Sequence, residues 1–412
     1  MAGPVTSARP VATAPRPAAG RWSLVAAVVL TALNLRTAVT SVGPLLSQVQ
    51  DGIGLSSALA GLLTTLPVVC FALVGWYAPA IASRLGEHRA VTGALALMTA
   101  GLLGRALVSS PGPFLALSAV ALLGGAVGNV LLPSLVKRHF PDRIGAMTAV
   151  YTTSLAIGLT GAAAGAVPLA DAAGEGGWRF GLGAWAALSA LAVVPWLWHV
   201  AERGRAGGSR AGRSGARMLR SPTAWALAVF FGAQSLHAYV SFGWFALFFQ
   251  EQGPFSASHA GFLLAVVTGL AIPVSAAVPA LAARRPSQWP LVVLHAGCYV
   301  VAYTGMLIAT DFAGGVLWAA LVGVGSGAFP LALTMIALRT RTADATASLS
   351  AFSQSVGYVL AGGGPLLVGV LHGRSGGWSG AFVLLFAALG VMVVAGWYAA
   401  RPRFVEDEVP AG

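Results

Sequence analysis

Charged residues are scarce in this sequence: Asp, Glu, Lys and Arg together make up 9% of its 412 residues. A soluble domain carries about 25%. Hydrophobic residues account for 57%, and the mean hydropathy is +0.79. These values exclude a water-soluble globular protein. Because one bilayer span takes about 20 apolar residues, a chain of this length can hold about a dozen spans joined by short loops.

Cysteine and the residue patterns of enzyme active sites are also almost missing. The two cysteines, Cys70 and Cys298, each lie inside an apolar run, which predicts buried side chains rather than a disulfide or a metal site. The sequence has no Walker phosphate-binding loop, no zinc-ligand spacing, and no nucleophile with an accompanying acid and base. It therefore predicts no cofactor, no metal and no enzymatic activity.

Negative charge is in the minority, with 12 Asp and Glu against 24 Lys and Arg, for a net charge of +12. In a soluble chain this excess would indicate nucleic acid. Here the basic residues alternate with apolar runs, so nucleic acid is excluded as a partner and the lipid bilayer is predicted instead. Residues 1–21 lack the apolar stretch of a secretory signal and are predicted to form a disordered cytoplasmic tail.

Long apolar runs are abundant, and their Ala, Gly, Leu and Val content predicts helices, whereas a membrane barrel would show alternating segments of about ten residues. The predicted spans are 22–46, 57–82, 90–110, 112–136, 145–170, 179–199, 223–249, 258–283, 289–310, 314–338, 345–372 and 378–400. The Gly/Ser/Arg-rich stretch 200–222 is predicted to be a basic cytoplasmic linker. It separates a six-helix half, 22–199, from a second one, 223–400, which is followed by a cytoplasmic tail, 401–412.

The distribution of Lys and Arg predicts the orientation, because cytoplasmic loops retain positive charge. With the N-terminus inside, 20 of the 24 basic residues fall on the cytoplasmic side. Arg105, Arg179 and Arg374 are assigned to the outer side, and Arg36 lies within the membrane. The sequence therefore predicts a multi-pass protein of a bacterial inner (plasma) membrane with both termini in the cytoplasm.

An internal repeat appears when the second half is laid on the first with an offset of 200 or 201 residues. The run 79–84 then meets 279–284, and the sequence Gly-Gly-Trp at 176–178 meets the same three residues at 376–378. Six spans followed by six in the same orientation predict an all-α polytopic membrane protein. Its twelve transmembrane helices would form two parallel six-helix halves, as in the major facilitator architecture.

Arg36 is the only basic residue placed deep in a predicted span, and an intramembrane charge is by default a functional hypothesis. The repeat pairs it with His237 in the seventh span. Gln234, Ser241 and Trp244 lie at helical spacing from His237, which predicts one polar face lining a cavity. Hydrogen bonds that merely join neighbouring helices are the alternative interpretation of these polar groups.

Further polar side chains occur in the middle of other spans. Asn129 lies in the fourth span, Tyr151 in the fifth, and Gln354 and Tyr358 in the eleventh. No carboxylate falls in mid-membrane. The glycine-rich parts of the fourth and tenth spans are interpreted as sites of close helix packing.

Four blocks in order resemble the cyanate and nitroimidazole transporter family of the major facilitator superfamily (MFS). They are Leu33-Asn34-Leu35-Arg36 with Ser41-Val42-Gly43-Pro44, the run 128–138 with Tyr151, Gly232-x-Gln234-Ser235-Leu236-x-x-Tyr239 with Trp244, and Leu349-Ser350-x-Phe352-x-Gln354-Ser355-x-Gly357-Tyr358. The general superfamily motif between the second and third spans is altered, because its acidic position is occupied by Ser83.

The resemblance implies a secondary transporter that moves a small solute, such as a small anion or a nitro- or cyanate-like compound, by alternating access. Arg36 would supply positive charge, and Asn129, Gln234, Tyr239 and Gln354 would supply directional hydrogen bonds. Trp244 and Tyr358 would shape or close the cavity. Any proton coupling falls on His237, with passive facilitation equally open. The carrier is expected to act as a monomer. An efflux carrier for neutral drugs and a non-transporting receptor or sensor stay open as rival functions.

Overall fold

The computed structural model describes residues 18–200, 218–253, 257–308 and 311–408. Every regular element in these ranges is helical. Most of the predicted tail 1–21 and of the predicted linker 200–222 lies outside the described residues, as do the last four residues of the chain.

Seventeen α-helices are present in the described part of the chain. They are α1 Ala18–Asn34, α2 Thr37–Thr40, α3 Leu46–Ile53, α4 Ser57–Leu85, α5 Glu87–Leu107, α6 Pro111–His139, α7 Ile144–Ala172, α8 Trp178–Gly183, α9 Trp185–Val200, α10 Pro222–Gln252, α11 Ala257–Ala283, α12 Trp289–Ile308, α13 Phe312–Gly325, α14 Ala328–Leu338, α15 Ala343–Ser375, α16 Ser379–Ala399 and α17 Val405–Glu408. Short 3-10 turns occupy Gly43–Leu45 and Pro141–Arg143.

Each predicted span coincides with a helical segment. By length and composition, ten helices of the described residues can cross a membrane, or eleven when a bent pair within α4 counts as one span. The predicted seventh span is the 31-residue helix α10, which is not among them. Gln234, Ser235, His237 and Ser241 lie in its middle, and such polar side chains lower the hydropathy of a span.

Three spans are interrupted. The first breaks between α1 and α2, the sixth between α8 and α9, and the tenth between α13 and α14. In addition, α4 bends by 53° between Thr65–Gly75 and Tyr77–Leu85. Pro79 explains that bend, because a proline ring clashes with the carbonyl four residues earlier and removes one helical hydrogen bond.

The helices α1–α9 and α10–α16 form two bundles that pack against each other. α4 and α6 contact α15, α7 contacts α11, and both α6 and α7 contact α14. These six helices therefore line the boundary between the two halves.

Lys137 and Arg138 join the halves at one end of the bundle, which we call the basic end. The ammonium of Lys137 donates to the carbonyl oxygens of Ala337, at 2.7 Å, and Thr340. Arg138 bonds Asp344 of the second half at 2.7 Å and Glu87 of the first half at 2.9 Å. Glu87, four residues after Ser83, thus supplies a carboxylate close in sequence to the acidic position of the superfamily motif that Ser83 occupies.

The short helix α17 attaches the end of the described chain to the same basic end. The carboxylate of Glu408 accepts from the backbone N–H of Thr223 at 3.0 Å and from its hydroxyl at 2.6 Å, which caps the start of α10. Asp407 forms a two-bond ion pair with Arg341. Hydrogen bonding within this pair raises the pKa of Arg341 and lowers the pKa of Asp407.

The first and fifth spans cross at Gly158, where only a glycine fits. A Cβ atom at this position of α7 would lie 1.9 Å from the carbonyl oxygen of Leu33. One turn along the same helix, a Cβ at Gly161 would meet nothing within 4 Å. The close backbone approach holds α1 against α7 just before the first span breaks.

Gly158→Ala is expected to lower the free energy of unfolding by about 1–3 kcal/mol, because the added methyl group overpacks this crossing. The melting temperature of the purified protein in detergent measures the effect. Gly161→Ala is the matched control and should leave the melting temperature nearly unchanged. Equal melting temperatures for the two variants would contradict the tight crossing.

Candidate functional site

Arg36 lies where the first span leaves the helical conformation. α1 ends at Asn34, and Arg36, with φ −116° and ψ −7°, precedes the four-residue helix α2. The carbonyl oxygen of Arg36 accepts from the amides of Val39 and Thr40, both at 3.0 Å. The helical conformation is therefore interrupted at Arg36, while the carbonyl of this residue stays hydrogen-bonded to the next turn.

The guanidinium of Arg36 reaches across to the second half. Its Nη2 donates to the hydroxyl of Tyr358 in α15 at 2.8 Å, and its Nη1 donates to the hydroxyl of Tyr239 in α10 at 3.4 Å. The rings of Phe71 and Phe329 lie 5.0 and 5.8 Å from the guanidinium carbon, which adds cation–π attraction. Arg36 is thus held by neutral hydroxyls and aromatic faces.

A second polar layer lies directly beside Arg36. Asn129 of α6 donates through its Nδ2 to the Oε1 of Gln354 in α15 at 2.5 Å and to the hydroxyl of Tyr358 at 3.5 Å. The Nε2 of Gln354 donates to the hydroxyl of Ser350 at 2.8 Å. Because Tyr358 accepts from both Arg36 and Asn129, the two layers form one network between the halves.

Tyr151 carries a buried hydroxyl with no hydrogen-bond partner among the described residues. It lies in α7, one of the helices at the boundary between the halves. An unpaired buried hydroxyl is costly unless another group completes its bonding. Tyr151 therefore has a free donor and acceptor, although no bond links it to Arg36.

His237 does not share the surroundings of Arg36. Its Nδ1 lies 2.9 Å from the hydroxyl of Tyr303 in α12, and its ring stacks on Tyr299 with centroids 4.8 Å apart. The side chain is fully buried, and its Nε2 has no partner in the described part of the chain. The repeat predicts that His237 lines a cavity, but α10 turns it toward α12 inside the second half.

The remaining residues of the predicted polar face of α10 are also occupied elsewhere. Gln234 bonds the neighbouring hydroxyl of Ser235 at 2.6 Å, and Ser241 donates to the carbonyl of His237 at 2.7 Å. Trp244 donates to the carbonyl of Pro365 in α15 at 3.1 Å. Tyr239, which lies off that face, is the α10 residue that the structure brings to Arg36.

Two kinds of residue in this region are not predicted by the sequence. Phe71 and Phe329 carry no signal that separates them from the neighbouring apolar residues of their spans. The sequence assigns Arg105 to the outer side but does not predict its burial: the residue lies in the last turn of α5 and is fully buried. The sequence signal for this burial is that Arg105 falls within the predicted limits of the third span, 90–110.

The chemistry of the site follows from these contacts. Arg36 has five N–H donors and uses two of them in the bonds to tyrosine. Its network in the described residues includes amides and hydroxyls and no carboxylate. Among these residues no group of three or more His, Cys, Asp or Glu side chains could hold a metal ion. The arrangement suits a small solute with oxygen or nitrogen acceptors.

Comparisons with known proteins agree with the fold and the motifs. Two solved structures share the fold: the proton:xylose symporter XylE (TM-score 0.73, 11% identity, 95% of this chain and 99% of that one) and the fucose:proton symporter FucP of Escherichia coli (TM-score 0.72, 13% identity, 93% and 99%).

Three curated relatives are similar along most of the chain. They are the uncharacterized transporter YycB of Bacillus subtilis (strain 168), 35% identical over 93% of this chain and 94% of its own; the 2-nitroimidazole transporter of Escherichia coli (strain K12), 35% over 87% and 90%; and the cyanate transport protein CynX of the same strain, 33% over 85% and 90%. Residues 27–363 match the Major Facilitator Superfamily. The chain is therefore a multi-pass membrane protein that belongs to the Major Facilitator Superfamily, together with these cyanate and nitroimidazole transporters.

Proposed function

We propose that this secondary transporter moves a small anion, or a small nitro- or cyanate-like compound, by alternating access. The observation that carries the proposal is Arg36, a cation between the halves whose hydrogen-bond partners are neutral hydroxyls. A half-buried guanidinium without a carboxylate attracts an anion or a strong dipole, and its planar fork matches oxygen acceptors in pairs.

The names of two relatives agree with that substrate class. One is named a transporter of 2-nitroimidazole and the other a transporter of cyanate. A nitro group and a cyanate ion both present electron-rich acceptor atoms, which the free donors of Arg36 and the amides of Asn129 and Gln354 can bind. We further propose that Tyr151, with its unpaired hydroxyl, and Gln234 contact the solute, and that Trp244 closes the cavity.

Alternating access requires contacts between the halves that can open. The bonds of Lys137 to the carbonyls of Ala337 and Thr340 and of Arg138 to Asp344 hold the basic end together. We propose that this end faces the cytoplasm, with both termini on that side, and that the state described is closed there. The carrier is proposed to reside in the inner membrane as a monomer without catalytic activity.

Proton coupling is proposed to act through His237. XylE and FucP are named as proton symporters, and the mid-membrane part of the present chain offers an imidazole rather than a carboxylate as the titratable group. Passive facilitation is the competing mechanism. An efflux carrier for neutral drugs and a receptor that binds but does not transport are the competing functions, and transport measurements on single variants separate them from the proposed one.

Arg36→Met is expected to reduce uptake of cyanate into proteoliposomes about 100-fold. Arg36→Lys should reduce it about tenfold, because lysine keeps the charge and loses the paired donors. Arg374→Met, at an exposed arginine, is the control and should transport like the wild type. Uptake of 2-nitroimidazole but not of cyanate by the wild type would favour a carrier of neutral compounds, and wild-type uptake of cyanate by the Met variant would reject the proposal.

Lys137→Ala is expected to open the basic end, because it removes three hydrogen bonds from an ammonium to the end of α14. In a background with Cys70→Ala and Cys298→Ala, Ala347→Cys reports the opening through its labelling by a membrane-impermeant maleimide in inside-out vesicles. Labelling should accelerate about tenfold. Arg403→Ala, at another basic residue of that end, should not change the rate; equal rates in both variants would contradict the closure.

His237→Gln is expected to retain downhill flux and to lose the acceleration of uptake that an imposed pH gradient produces in the wild type. An amide of similar size can hydrogen-bond Tyr303 but cannot accept a proton at physiological pH. The measurement is uptake into proteoliposomes with and without the gradient, with His259→Gln as the control. A wild-type flux that ignores the gradient would establish passive facilitation and remove His237 from coupling.

A further inference from the structure

The break in the first span leaves a backbone carbonyl that its own helix cannot satisfy. α2 ends at Thr40, and the last carbonyls of any helix lack an intrahelical donor. Within a bilayer no water takes their place. The carbonyl oxygen of Ala38 instead accepts from Nη1 of Arg105 at 2.9 Å, while Nη2 of Arg105 donates to the hydroxyl of Ser41 at 3.1 Å.

Arg105 itself is fully buried and forms no ion pair among the described residues. Its Nε also lacks a partner there. Burying an unpaired guanidinium costs several kcal/mol. The two bonds to the first span offset this cost for Arg105, and the same two bonds hold the first span in place. These bonds fix residues 38 and 41, immediately after Arg36.

We infer that Arg105 is a positioning residue for the candidate site: its guanidinium holds the broken segment 36–42 in the conformation that presents Arg36 to Tyr239 and Tyr358. The part of this inference that concerns solute binding rests on the proposed function.

Arg179 of α8, which bonds the end of α5, provides a matched control for Arg105. Arg179 donates to the carbonyls of Ala106 and Val108 at 2.9 and 2.6 Å. It therefore also satisfies carbonyls with a guanidinium, but these carbonyls belong to the end of α5 and not to the first span. Arg105→Gln and Arg179→Gln therefore remove the same kind of bond, and only the first should affect Arg36.

The first measurement needs no solute: hydrogen–deuterium exchange, by mass spectrometry, of peptides that cover residues 36–45 in the purified full chain. Arg105→Gln should accelerate exchange there about tenfold or more, Arg105→Lys by less, and Arg179→Gln not at all. Unchanged exchange in Arg105→Gln would overturn the inference. Ser41→Ala, which removes the bond from Nη2 together with the bond from the Ser41 hydroxyl to the carbonyl of Thr37, serves if Arg105→Gln does not fold. It should also accelerate exchange, and unchanged exchange in Ser41→Ala would equally overturn the inference.

The second measurement is uptake of cyanate and 2-nitroimidazole by Arg105→Lys in proteoliposomes. We expect KM to rise about tenfold with a smaller change in kcat. A residue with a purely structural role would lower the amount of active protein and leave KM unchanged, which would also overturn the inference. If the wild type transports neither probe, the proposed function fails, while the exchange result still decides the role of Arg105.

Discussion

The structure depends on a property of the bilayer, which has no water to satisfy a carbonyl that leaves a helix. Two of the interrupted spans therefore take a donor from a neighbouring helix. The carbonyl of Val324 in the tenth span accepts from the Nδ1 of His295 at 2.9 Å as well as from the backbone N–H of Gly327 at 3.0 Å. The carbonyl of Ala38 in the first span accepts from Arg105. Without that donor it would cost several kcal/mol in hydrocarbon. These donors stabilise the breaks, and one break turns Arg36 toward the second half.

In the proposed function, the bonds of Arg36 connect solute binding to the contact between the halves. Its guanidinium belongs to the first half, whereas the hydroxyls of Tyr239 and Tyr358 belong to the second. A solute with acceptor atoms competes for the same donors. Under the proposed mechanism, a solute bound to Arg36 therefore replaces the bonds to Tyr239 and Tyr358 with bonds to itself. A ligand shifts the equilibrium between two conformations only if it binds one of them more tightly than the other.

Hydropathy alone predicted the helical segments, and the scarcity of mid-membrane charge singled out Arg36. Asn129, Gln354 and Tyr358 were identified as polar exceptions in apolar spans, and the structure brings them to Arg36. The orientation of the polar face of α10 could not be predicted, because periodicity tells which residues share a face and not which helix that face meets. The bonds of Arg105 could not be predicted either, because its position near the end of the third span does not tell which carbonyls its guanidinium meets. The glycine content of the tenth span predicts close packing, and a Cβ at Gly325 or Gly327 would indeed meet the ring of Tyr299 or His295. The span also breaks at this point.

The internal repeat is more symmetric in sequence than in structure. An offset of 201 pairs Arg36 with His237, yet the first span breaks at Arg36 and α10 runs without interruption through His237. Because α10 is unbroken, its carbonyls stay bonded within the helix and need no donor like Arg105. His237 instead packs on Tyr299 inside the second half. The two halves consequently contribute different groups to the candidate site: the first contributes the cation, and the second contributes the hydroxyls of Tyr239 and Tyr358. A site divided in this way is complete only when the halves are together, so in the proposed mechanism the position of the halves depends on what the site holds.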